Sequence, residues 1–74
     1  MNFDEYTKDK LWTTLVETVH QLVMYPQHKA YSRDSVLPEK KDVSAEELAA
    51  RLGISLGEAL VILFELKAES AGEP

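Results

Sequence analysis

Cysteine is absent from the 74 residues, glycine and proline occur three times each, and six positions are aromatic. Without cysteine there is no disulfide staple, no thiolate metal site and no Cys nucleophile. The three glycines, Gly53, Gly57 and Gly72, follow no strand pattern, which excludes a glycine-rich phosphate loop. Positive charge is scarce: eight Lys and Arg stand against thirteen Asp and Glu, for a net charge of −5. Long apolar runs are missing as well. The longest, Ala59 to Phe64, falls far short of the roughly 20 residues that cross a bilayer, so no membrane segment is expected. Met1-Asn2-Phe3-Asp4-Glu5 places two acids where a secretory leader carries positive charge, and the expected location is the cytoplasm. A chain this short buries about 60% of the surface it exposes when unfolded, enough for one small core and no inter-domain cleft.

What is present is helical patterning. Leu11, Trp12, Leu15, Val16, Val19, Leu22 and Val23 fall within one arc of roughly 140° on a helical projection, opposite Thr13, Thr14, Glu17, Thr18 and Gln21. This predicts a first helix over about residues 5–24, with Asp4 or Thr7 as N-cap and a stop enforced by Pro26. Residues 25–43 show no sustained period and contain Pro26 and Pro38, so they are expected to form a long loop. Ser44-Ala45-Glu46-Glu47 is a capping box that starts a second helix over about 45–52, ended by Gly53. Ser55-Leu56-Gly57-Glu58 repeats the arrangement and starts a third helix over about 56–68. Residues 69–74 bury nothing and are expected to be a flexible tail. The expected class is therefore all-α, a small three-helix domain with a long first connection.

Charge is uneven along the chain. Residues 1–24 carry −2, residues 25–42 carry +1 and residues 43–74 carry −4. The expected loop is the one locally basic stretch. Its Lys29, Tyr31, Arg33, Lys40 and Lys41 interleave basic and aromatic groups in a way that suits an acidic protein surface or a single-stranded nucleic acid.

Ser44 through Ser55 followed by a helix resembles the helix-turn-helix unit of transcription regulators. The resemblance rests on Ala49 where helices approach, Gly53 in the turn, Ile54 plugging the core and Ser55 capping the next helix. It implies that Ala59, Ile62 and Leu63 point inward, and that Leu56, Gly57, Leu60 and Val61 occupy the positions that would face DNA. Base edges and phosphates need hydrogen-bonding partners, and these positions offer aliphatic carbon. Glu58, Glu65 and Glu69 on the same helix form an acidic strip that would repel phosphate. With only residues 69–74 after the third helix in this sequence, no β-hairpin wing is expected. In size, acidity and lack of a wing the chain is similar to the small viral regulators that bind a host's RNA polymerase.

Catalysis finds little support. His20 and His28 are two potential ligands without a third, so neither a metal nor another cofactor is expected. Ser44 and Ser55 are spent as caps, and Trp12 and Phe64 are expected to anchor the core. The sequence therefore points to a non-enzymatic adaptor working by protein contact with transcription machinery such as RNA polymerase. Its expected partner-binding residues are Lys29, Tyr31, Arg33, Lys40, Lys41, Leu56, Leu60 and Val61. A helix-turn-helix DNA-binding regulator is the second reading, and an apolar surplus on the third helix also suits a homodimer.

Overall fold

The computed structural model describes residues 9–71. Among them are four α-helices and one π-helical turn: α1 (Asp9–His20), α2 (Tyr25–Tyr31), the π turn (Ser32–Val36), α3 (Ala45–Leu52) and α4 (Leu56–Ala71). No strand occurs among the described residues, which form an all-α fold. The N-cap candidates Asp4 and Thr7 lie outside the described residues.

The helix α1 ends at His20, four residues earlier than its apolar period suggests. Its last turn tightens through Gln21 N–H to Thr18 O at 3.1 Å and Leu22 N–H to Val19 O at 3.0 Å. Leu22, Val23 and Met24 consequently leave the helical arc and lie exposed in the turn. Pro26 does not close a helix but opens one. It occupies the first turn of α2, where its missing N–H would have had no intrahelical partner.

The expected loop over residues 25–43 is thus overturned for most of its length. Tyr25, Ser32 and Val36, spaced by seven and four residues, are all buried, which is a helical spacing. Within the π turn Leu37 N–H donates to Ser32 O at 2.9 Å. The fully buried Ser32 hydroxyl is satisfied by His28 O at 2.8 Å, one turn back. Only residues 37–44 remain an irregular connection.

The remaining elements follow the capping chemistry. Ser44 Oγ accepts from Glu47 N–H and Ser55 Oγ from Glu58 N–H, each at 3.0 Å. Neither glutamate carboxylate is needed at its own cap: Glu47 meets Lys40 and Arg51, and Glu58 meets His28. Gly53 closes α3 at φ +68°, and nothing lies within 4 Å of where its Cβ would be. A side chain there would therefore be disfavoured by the left-handed backbone and not by space. α4 runs on to Ala71, so residues 69–71, expected in a flexible tail, are helical.

α4 is the hub, packed by α1, α2 and α3. Leu48, Ala59, Val61 and Ile62 are fully buried at its centre, joined by Val19, Val36, Val43 and Leu66. Each large aliphatic side chain buried there contributes on the order of 1.5–3 kcal/mol. Gly57 lets α1 approach, since a Cβ at that position would lie 3.0 Å from Leu15 Cδ1. Ala59, Ile62 and Leu63 point inward, in line with the expected register.

Candidate protein-binding surface

One flank of α4 is closed by a polar network. His28 Nδ1 lies 2.6 Å from Glu58 Oε2, and Glu58 is only 4% exposed. Two turns further along, Glu65 gathers three partners: His20 Nε2 at 2.8 Å from Oε2, the Tyr25 hydroxyl donating to Oε1, and Lys29 Nζ at 3.3 Å from Oε1. Lys29 also pairs with Glu69, which ties down the part of α4 expected to fray. The rings of His20 and Tyr25 stack at a tilt, 5.1 Å apart. The acidic strip of the sequence is therefore the contact by which α4 holds α1 and α2.

The electrostatics of this network favour cohesion. For Glu65, burial pushes the carboxyl up, but hydrogen bonds from Tyr25, His20 and Lys29 outweigh it and hold the group below the usual carboxylate range. For Lys29, burial works against the ammonium, yet hydrogen bonds to Glu69 and Glu65 raise it. Burial first, and then the hydrogen bond to Glu65 and the neighbouring carboxylates, push the Tyr25 phenol far above its ordinary value. All three groups move away from neutral pH. General acid–base chemistry needs the opposite, a pKa drawn toward the working pH. No group of three His, Cys, Asp or Glu side chains arranged to hold a metal occurs among the described residues.

The opposite condition holds on the flank left open by the other helices among the described residues. Leu56, Leu60 and Phe64, four residues apart, are 46%, 41% and 56% exposed. Leu11 of α1 is exposed as well, and the half-buried Trp12 meets Phe64 edge to face, with ring centroids 4.9 Å apart. Trp12 thus borders the core while Phe64, expected beside it inside, stands mostly in solvent.

The structure sorts the expected partner-binding residues into four groups. Leu56 and Leu60 lie on the open face. Val61 does not: it is fully buried, because a residue next to Leu60 in sequence is turned about 100° around the helix and meets the core. The basic residues fail to form one free patch, since Lys29 is turned onto Glu65 and Glu69, Arg33 onto the adjacent Asp34 at 2.9 Å, and Lys40 onto Glu47 at 2.7 Å. Tyr31 is exposed at the end of α2, and Lys41 is exposed beyond the π turn. Phe64 and Leu11 were missing from the expected set. The signal for Phe64 was the spacing of four that joins it to Leu56 and Leu60.

No helix among the described residues is long and apolar enough to cross a membrane. Comparison with protein families, with curated proteins and with solved structures finds no match for this chain.

Proposed function

We propose that this protein is a small non-enzymatic adaptor that works by protein–protein contact through the open face of α4. The observation that carries the reading is the row Leu56, Leu60 and Phe64, an apolar strip exposed on a helix whose acids are engaged elsewhere. Aliphatic and aromatic side chains grouped in this way mark contact surfaces. Shifts that take Glu65, Lys29 and Tyr25 away from neutral pH support a non-catalytic role for the network behind it.

Transcription machinery, RNA polymerase included, is the proposed setting. Support for it comes from the resemblance of residues 44–55 to a helix-turn-helix unit and from the two capped helices joined by Gly53, Ile54 and Ser55. The reading as a DNA-binding regulator finds no hydrogen-bonding group at Leu56, Gly57 or Leu60 to meet a base edge.

Titration of isotope-labelled protein with purified RNA polymerase tests the proposal. Broadening of amide signals along Leu56 to Phe64, abolished by Leu60→Lys, is the expected result; spectra unchanged by polymerase would remove it from the partner list. Sedimentation at several concentrations addresses the second copy. A dimer that Leu60→Lys converts to monomer would assign the face to self-association.

A further inference from the structure

The open face of α4 changes character toward its C-terminus. Leu56, Leu60, Leu63, Lys67 and Ser70 are spaced by four, three, four and three residues and so share one side of the helix. Where this side passes the π turn, a groove of about 410 Å³ opens, floored by Leu37, Pro38, Leu63 and Leu66. Arg33, Lys41 and Lys67 stand around it. Its volume lies within the range of pockets that take small ligands or single large side chains.

The charge of the rim is unusual for this chain. Lys29, Lys40 and Arg51 are each held by a carboxylate away from the groove, whereas Lys41 and Lys67 form no ion pair among the described residues. Arg33 uses two of its nitrogens on Asp34 and keeps the rest of its guanidinium for other acceptors. Three cations therefore surround an apolar floor on a protein of net charge −5. The exposed acids Glu39, Asp42 and Glu46 lie nearby in sequence. An extended polyanion, such as a duplex or an anionic bilayer, would meet those acids as well as the rim. A short segment with few carboxylates carries less charge to be repelled by them.

We infer that the groove receives an acidic, aliphatic peptide segment of the protein partner. A leucine-like side chain covers Leu37, Leu63 and Leu66, and flanking carboxylates meet Arg33, Lys41 and Lys67. The inference rests on the reading of α4 as a protein-contact helix and specifies the chemistry recognised at one end of its open face. The floor takes the aliphatic side chain, and the basic rim selects for charge.

Fluorescence anisotropy with a synthetic labelled peptide, leucine flanked by glutamates and blocked at both ends, is the test. The protein partners are the wild type, the double variant Lys41→Glu/Lys67→Glu and Leu60→Lys, all altered at exposed positions and checked for fold by circular dichroism. Wild type should bind the acidic peptide with an affinity that falls as salt rises. Replacing the peptide's glutamates by glutamines, or reversing the two lysines, should weaken it roughly tenfold or more. Equal affinity for the glutamine peptide, no binding at all, or preference for phosphatidylglycerol vesicles would overturn the inference. If the double variant loses binding while Leu60→Lys keeps it, the groove stands whatever the polymerase titration shows for Leu56, Leu60 and Phe64. If the glutamine peptide binds equally well and Leu60→Lys abolishes binding, the apolar face stands and the groove falls.

Discussion

Along the flank of α4 that meets α2, Glu58, Glu65 and Glu69 are drawn against His28, Tyr25, His20 and Lys29, whereas the flank left open presents Leu56, Leu60 and Phe64 to water. One helix thus pairs its carboxylates, burying Glu58, and exposes apolar carbon. A buried polar group is stable only when its hydrogen bonds are made, and the closed flank makes them. No such requirement governs exposed apolar carbon, which is tolerated singly but becomes informative as a contiguous row. The difference separates residues that hold the molecule together from residues left over for other molecules.

The sharpest way to break this comparison is on the closed side. His28→Ala would leave the Glu58 carboxylate buried without its partner and should cost about 3 kcal/mol in urea unfolding. A loss near that of an exposed ion pair, below about 1 kcal/mol, would mean the flank is held by packing alone. Tyr25→Phe removes one hydrogen bond to Glu65 and should cost about 1 kcal/mol at neutral pH.

The pH dependence sharpens the same point. Glu65 titrates below its unfolded value, so its contribution is complete above the ordinary glutamate pKa of about 4.3 and is lost as pH falls through the lower folded value. Tyr25 and Lys29 titrate above theirs, so their contribution is complete below about pH 10 and is lost as pH rises beyond it. The melting temperature should form a plateau between these limits, and Tyr25→Phe should shallow the alkaline decline.

The smallest effect on stability belongs to the open side. Leu60→Lys should change unfolding free energy by no more than about 0.5 kcal/mol while reducing partner affinity more than tenfold. A large loss of stability would show Leu60 to be part of the core.

Both capped helices were legible because Ser44, Gly53 and Ser55 act locally, within one turn of chain. α2 was not, because Pro26 carries two meanings: it blocks a helix from behind and is welcome in the first turn of a new one. The same ambiguity extended the first helix past His20 and made Leu22 and Val23 look buried. At the site, the exposure of Leu56 and Leu60 followed from the helical register, while Val61 did not, since nothing local shows which helices flank a face. Pairing across the α2–α4 contact spans some 30 to 40 residues, as between His28 and Glu58 or Tyr25 and Glu65. Charge counts by segment do not register pairing at that range. Lys29 and Glu65 were therefore assigned to separate basic and acidic surfaces that the fold brings into contact.

Glu65 receives donors from two other helices, His20 at the end of α1 and both Tyr25 and Lys29 of α2. A seven-residue helix such as α2 has no stability of its own in water, since nucleation outweighs so few hydrogen bonds. Its opening would strip this carboxylate of two donors at once and expose the Glu58 pair beside it. Fraying of α2 therefore breaks contacts with α4 as well as its own backbone bonds, which couples the shortest α-helix among the described residues to the longest.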